Sequence, residues 1–487
     1  MSLLDIPFVN RLLTPEGMIA PDLRKGPLPS MKEAYGDVLR IAAPSVAEMV
    51  LMSLIGSMDT MMIGVLGKTA ISAVGLPTQP RMLLICVFFA LNVGVTAIVA
   101  RRKGEGRQGD ARRTLRNAMM LVLLLSGVLT AASLLFAEPL IRLAGGNENT
   151  PDEAQALRDG VTYFKIIMAS LPVNALAMCI NAAQRGIGNT KLTMYVNIVS
   201  NLVNVFFNYL LIGGNFGFPA LGVAGAAIAS VIGIVTGAAL SLCTVLARPR
   251  GHEGYLFVGF RGPWRFEKDT MKAIVRVGGN AMLEQAGLRF GFFMSSAIIV
   301  GMGQVSHAAN QICMQFLNLT FTFGDGIGIA ATSLVGQNLG KKRPDLSLLY
   351  GKVSQRYALL ASSILLLMLL LLRYPLTGLF LNADTADASQ VLALAADTLI
   401  VIALVQPFQT SSVVLSGCLR GAGDNIYVAV CMTLCVSVVR PLLSLMAVQV
   451  FHFPLPGTMA MCMAEIAIRM VCFYTRFASG KWTTKQV

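Results

Sequence analysis

The sequence has 487 residues, of which 55% are hydrophobic and 13% charged; with a mean hydropathy of +0.66 it is too apolar for a domain whose main solvent is water. The formal charge of +14 would suit nucleic acid, but the basic residues stand in short clusters between apolar runs. Membrane topology explains that distribution better, and no nucleic-acid partner is expected. The nine cysteines lie singly inside apolar stretches without paired spacing, so they read as packing residues rather than disulfides or ligands.

Residues 1–38 break every apolar run with Pro, Asn, Arg or Asp, so they contain no signal-peptide core and are expected to form a cytoplasmic arm. Runs long enough to cross about 30 Å of hydrocarbon follow near 39–66, 82–100, 117–142, 157–182, 191–213 and 221–247. The linker 248–269, RPRGHEGYLFVGFRGPWRFEKD, is the longest polar connection in mid-chain. Six more runs lie near 270–302, 308–337, 353–382, 388–417, 425–451 and 456–476, before a cytoplasmic tail at 477–487. Closely spaced apolar segments of this length must be helices, because only a helix satisfies its own backbone in lipid and a barrel strand would alternate polar and apolar residues. The expected fold is therefore an all-α integral membrane protein of twelve transmembrane helices, with an amino-terminal lobe at 39–247 and a carboxy-terminal lobe at 270–476.

Orientation follows from Lys and Arg. The second connection carries Arg101, Arg102, Lys103, Arg107, Arg112, Arg113 and Arg116, and the eighth carries Lys341, Lys342, Arg343, Lys352 and Arg356. The third and ninth lean acidic through Glu148, Asp152, Glu153, Asp384 and Asp387, so even connections and both termini are expected inside a plasma (inner) membrane.

The two halves resemble each other at one register. At an offset of 236 residues Arg40 meets Arg276, Glu48 meets Glu284, Gly67 meets Gly303, Thr96 meets Thr332 and Arg107 meets Arg343. After a slip of one residue, AAQRGIGNTK at 182–191 aligns with GCLRGAGDNI at 417–426, placing Arg185, Gly186 and Gly188 on Arg420, Gly421 and Gly423. Six is even, so both repeats begin on the same membrane face and are parallel rather than inverted. Repeats of this kind belong to secondary transporters that bind substrate between the halves.

A charge at the bilayer centre costs about 2.5 to 3.5 kcal/mol on insertion scales, so each intramembrane acid needs a reason. Asp59, in SLIGSMDTMMIG, has no basic residue within eight positions and reads as functional. Glu48 lies eleven residues earlier, on nearly the same helix face and about 16 Å away along the axis; it either lines a pathway with Asp59, bonds a carbonyl left free near Pro44, or sits close enough to the inner interface to be wet. Pro44 has no N–H, frees the carbonyl of Arg40 and should kink the first segment, which makes it a candidate hinge, with packing alone as the other explanation. Glu284 is followed five residues on by Arg289, a spacing poorly suited to pairing. Asp325 sits among glycines in FTFGDGIGIA, where function and local structure are equally good readings. Glu465 and Arg469, four apart, have the spacing of an intrahelical ion pair. Asn181, Asn204 and Asn208 concentrate amides near the end of the fourth and along the fifth segment, where interhelical hydrogen bonding is the plain explanation. His252, His307 and His452 lie at loops or segment ends and there is no P-loop, so the chain is read as neither an enzyme nor an ATP-driven pump.

Pro44 followed by SMDTMMIG, then AAQRGIGNTK, NLVNVFFNYLLIGG, LGVAGAAIAS, AANQICMQ, ATSLVGQNLGKK, LRGAGDN, VVRPLLSL and GKW, taken in order, resemble the multidrug and toxic compound extrusion (MATE) family across almost the whole chain. The resemblance implies a V-shaped two-lobe bundle that exports amphipathic, often cationic drugs or metabolites in exchange for protons or sodium by alternating access. In one branch of the family the coupling ion is held by residues matching Asp59, Asn181, Asn204, Asn208 and Ser230. Asn208 stands where that branch has a second Asp, which keeps an oxygen and loses a charge. In another branch an acid matching Glu284 acts with one on the tenth segment, where QPFQTSSVVLSG has none. Glu48 and Asp325 are additional acids that neither pattern requires, and which acid carries the coupling ion stays open. Protons are preferred, since Asn208 lowers the charge available to a dehydrated cation, while amides and Ser230 still suit sodium. No cofactor is expected, nor any metal beyond that sodium. The expected partners are a small amphipathic or cationic molecule and the bilayer, with the chain a monomer. The rival reading is a flippase for lipid-linked saccharide precursors, against which the intramembrane acids argue.

Overall fold

The computed structural model describes residues 14–148, 150–246, 256–258, 264–378 and 388–484. Most of the linker, His252, Asp384 and Asp387, and both extreme ends of the chain lie outside the described residues. Every regular element within them is helical.

Twelve helical spans follow in order. They are α1 (Met31–Gly64), α2 (Thr78–Gly104), α3 (Gln108–Leu135), α4 (Pro151–Ala169 with Leu171–Gly186), α5 (Thr190–Gly213) and α6 (Gly222–Leu246), then α7 (Lys268–Val300), α8 (Gln304–Gly340), α9 (Pro344–Leu371), α10 (Ala388–Ala422), α11 (Asn425–Val450) and α12 (Leu455–Ala478). Ten described helices are long and apolar enough to cross a membrane, and the two parts of α4, bent by 49°, make an eleventh. The remaining span, α7, is 33 residues long but carries Arg276, Glu284 and Arg289, so apolarity alone does not mark it.

Proline accounts for the irregular places. Pro172 opens the second part of α4, and at the break the Ser170 hydroxyl donates to the Ile167 carbonyl at 2.7 Å. In α11, Pro441 removes an amide beside Arg440, and π-helical turns at Cys435–Val439 and Met446–Val450 flank the pair. By contrast α1 runs unbroken through Pro44.

The described residues divide into two compact units. One takes residues up to Val46, 104–106 and Gly279 onward; the other takes Ala47–Lys103 and Arg107–Gly278. The second has an apolar core that includes Ile63, Tyr163, Ile167 and Ile212. The first has two such cores, one around Val335, Val353, Leu415 and Trp482, the other around Phe316, Leu399 and Met463. Residues before α1 dock on the first of these units: the Lys25 amide donates to Asp345 at 3.1 Å and Lys352 donates to the Met18 carbonyl at 2.7 Å.

The repeat read from the sequence is present in backbone conformation. Gly67 and Gly303 have φ of 100° and 102°, and Gly188 and Gly423 have 83° and 89°; each pair sits at the register of the repeat, in left-handed turns that a Cβ would strain. Tertiary hydrogen bonds repeat too. Thr96 Oγ1 donates to the Ala182 carbonyl at 3.0 Å, and its counterpart Thr332 Oγ1 donates to the Gly417 carbonyl at 2.9 Å.

Candidate ion-coupling site

Asp59 is half-buried on α1, facing amides that α5 presents at i and i+4. The Asn208 amide nitrogen donates to Asp59 Oδ1 at 2.8 Å. With its nitrogen toward Asp59, Asn204 donates to both carboxylate oxygens at 3.0 and 3.2 Å, while its oxygen accepts from the Ser230 amide at 3.2 Å and hydroxyl at 3.3 Å. Four of the expected residues, Asp59, Asn204, Asn208 and Ser230, therefore form one cluster. The fifth, Asn181, is placed elsewhere: its oxygen accepts from Ser241 at 3.0 Å.

Close packing of α5 on α6 brings the cluster together. The two helices reverse through Gly214, at φ 71°, and the Leu221 amide donates to the Leu211 carbonyl at 2.9 Å. At Gly233 a Cβ would stand 2.8 Å from the Ser200 carbonyl and 2.9 Å from Asn204 Cβ, so this approach requires glycine. Two residues absent from the sequence reading also belong to the surroundings: Arg81 of α2 acts electrostatically on Asp59, and on Tyr163 of α4. Their signal was slight, an Arg at a span end and a Tyr within an apolar helix.

Glu48 is 1% exposed, and its oxygens accept from Arg185 at 3.2 Å, Thr193 at 3.0 Å and Asn197 at 2.6 Å. This bonded set, rather than a carbonyl near Pro44, satisfies it. Its repeat counterpart Glu284 pairs with Arg420, the counterpart of Arg185. The flanking polar groups are not repeated, since Val428 and Met432 of α11 occupy the positions of Thr193 and Asn197. Asp325 has no hydrogen-bond partner among the described residues, and the charges that act on it are those of Arg420 and Glu284. Counting formal charges, Glu284, Asp325 and Arg420 carry one more carboxylate than cation.

Glu465 and Arg469 do approach each other, at 3.8 Å, but Arg440 of α11 joins them 3.7 Å from the same carboxylate oxygen. Arg440 enters the sequence argument only as part of VVRPLLSL, although an Arg in mid-span is a signal of the same kind as Asp59.

The MatE family model matches the chain twice, over residues 44–210 and 281–446, once in each half. The chain belongs to the MatE family. It is accordingly a multi-pass membrane transporter and not an enzyme. A probable multidrug resistance protein NorM of Thermotoga maritima is 27% identical over 464 residues, 95% of this chain and 96% of its own length. Among solved structures, a MOP superfamily transporter from Pyrococcus furiosus superposes with a TM-score of 0.85 at 17% identity, covering 93% of this chain and 97% of that one. A multidrug resistance MATE family transporter in an outward-facing conformation gives 0.83 at 18% identity, covering 92% and 97%. At such identities the superpositions establish the MatE fold, and the residues of this chain must carry the chemistry.

Proposed function

We propose that this MatE chain is a multidrug exporter that moves amphipathic, cationic small molecules out of the cell in exchange for protons, with Asp59 as the principal coupling acid. The NorM-type relative supports the substrate class, and the donor set around Asp59 supports the ion. The observation that carries the reading is that two amides and, among the described residues, no second carboxylate face Asp59. An amide is a reversible dipole. With nitrogens inward, Asn204 and Asn208 donate to an ionised carboxylate; after a half-turn of Asn208 its oxygen, buried without a partner, takes the place of the nitrogen and accepts the O–H of a protonated acid. Both protonation states are then satisfied without backbone movement. The same oxygens, with Ser230, would hold sodium, but with one carboxylate the site is poorer in charge than a dedicated cation cage.

A lipophilic cation and a proton compete for Asp59, because a buried carboxylate holds one counter-charge more readily than two. Exchange follows if the site faces the two sides in turn, and Pro44 is the proposed hinge within α1. Glu284 is engaged by Arg420, so its part in coupling runs through the set with Asp325, whose extra negative charge one proton neutralises. The membrane potential contributes about 2.3 kcal/mol per net charge moved per 100 mV, so it assists export when a second proton, taken up by the Glu284, Asp325 and Arg420 set, enters for each monovalent cation. The lobes are taken as 39–247 and 270–476, in an inner membrane with both termini inside, and the working unit as a monomer.

The test is efflux of an ethidium-like cation from reconstituted vesicles under an imposed pH or sodium gradient. Wild type responds to the pH gradient, Asp59→Asn loses that response and binds the dye more weakly, and Glu284→Gln is less affected. A pH-driven efflux unchanged in Asp59→Asn would overturn the assignment.

A further inference from the structure

Apart from the Asp59 cluster, the unit that contains α8 to α12 buries an unusual charge group. Arg440, Glu465 and Arg469 are 2%, 0% and 3% exposed, and they lie near the middle of α11 and α12. Two guanidiniums and one carboxylate leave one positive charge uncompensated, and charge at this depth is costly.

The hydrogen bonds are as incomplete as the charge. Arg440 turns Nη1 toward Glu465 at 3.7 Å, too far for a hydrogen bond, and its Nε and Nη2 are buried without a partner. Arg469 spends Nη2 on the Gln409 oxygen at 2.9 Å and Nη1 on the Met432 sulfur at 3.3 Å, leaving its Nε without a partner. One face of the Arg440 guanidinium is covered by the Phe292 ring at 4.5 Å. The π-helical turns on both sides of Arg440 hold it off the regular ladder of α11, a distortion frequent at binding sites.

We infer that the Nε and Nη2 edge of Arg440 holds a small monovalent anion of the halide class, with the charge of Arg469 adding to its attraction. That edge presents two parallel N–H donors, the fork with which Arg grips anions, and it is the edge turned away from Glu465. Water would satisfy the donors but leave the charge; an anion satisfies both. Closure favours a small ion: Arg440, Arg469 and the Gln409 bound to Arg469 are 2%, 3% and 4% exposed, which disfavours a bulky organic carboxylate.

The experiment uses the full chain, purified in detergent, at constant sodium, pH and ionic strength, with chloride exchanged for gluconate. Wild type is expected to gain thermal stability saturably with chloride, to broaden the chloride NMR line, and to lose the broadening when bromide is added. Arg440→Gln, which keeps N–H donors and removes the charge, abolishes both effects, and Arg440→Lys keeps part of them. Glu465→Gln removes the competing negative charge and tightens chloride binding on the order of tenfold. If Glu465 were instead the sole counter-ion of a purely structural cluster, Glu465→Gln would only lower stability, with no chloride dependence. The inference is overturned if wild type shows no chloride-specific stabilisation or broadening, if Arg440→Gln broadens the line as wild type does, or if Glu465→Gln weakens the ion. Should Arg440→Gln not fold, wild-type broadening with bromide competition and the Glu465→Gln affinity decide the matter.

Discussion

Glu48 and Glu284 occupy the same place in the repeat, yet their replacement by Gln is expected to cost different amounts. Glu48 accepts from Arg185, Thr193 and Asn197 at 3.2, 3.0 and 2.6 Å, and Gln offers one oxygen where three donors converge. Breaking one side of a buried pair costs about 3 to 5 kcal/mol. Arg185 retains 19% of its side-chain exposure, so water recovers part of that and about 3 kcal/mol is expected for Glu48→Gln. Among the described residues Glu284 has the single partner Arg420, and the Asp325 carboxylate acts on that guanidinium as well. Glu284→Gln leaves Arg420 with a counter-charge and should cost about 1 kcal/mol, the worth of one hydrogen bond. At roughly 2 to 4 °C per kcal/mol for a unit of this size, thermal unfolding in detergent should fall markedly further for Glu48→Gln than for Glu284→Gln. Equal losses, or the reverse order, would refute the view that the two lobes have diverged at this position.

Asn208→Asp places a second carboxylate beside Asp59 and is expected to tighten sodium binding by roughly tenfold or more, read as sodium-driven efflux at a fixed pH; unchanged sodium dependence counts against the charge argument. Gly186→Ala drives a Cβ to 2.7 Å from the Thr96 carbonyl and should cost about 1 to 3 kcal/mol, whereas Gly109→Ala, with nothing within 4 Å, should gain about 0.5 kcal/mol; matched losses in unfolding assays would reject the packing account. Lys342 has φ 59° where its repeat counterpart Gly106 has 71°, so Lys342→Gly is expected to stabilise by about 0.5 to 1 kcal/mol, and a lowered melting temperature would contradict it.

Span number and register were legible because lipid leaves the backbone one solution, and because enough residues of the duplicated halves stay alike to fix the offset. Span ends were not. α1 begins at Met31, well before the apolar run at 39, and the reason lies in the capping box of Ser30 and Glu33: Glu33 accepts from the Ser30 amide at 2.9 Å and the Ser30 hydroxyl accepts from the Glu33 amide at 3.3 Å. α9 likewise opens on Pro344 in a charged stretch that hydropathy passes over. Asn204 and Asn208 were readable as one face, since i and i+4 amides must point together. Asn181 was assigned through a resemblance, and its bond to Ser241 depends on how α4 meets α6, which no local spacing encodes. The pairing of Glu48 with Arg185 spans 137 residues. It had a usable clue all the same: two acids and two arginines that share the repeat register are candidates for the same contact made twice.

Gly233 of α6 packs against Asn204 of α5, and its hydrogen atom is the whole of its side chain. The reach of the Asn204 amide toward Asp59 and Ser230 is thus governed by the clearance behind it: a single methyl group at Gly233 would meet Asn204 Cβ at 2.9 Å and push the amide forward or aside. A change that alters no charge, donor or acceptor in the cluster would still retune which ion it prefers, through the spacing of oxygen atoms alone. On the proposed coupling role of Asp59, selectivity is in that sense a mechanical property of two helices, set by how near α6 lets α5 come.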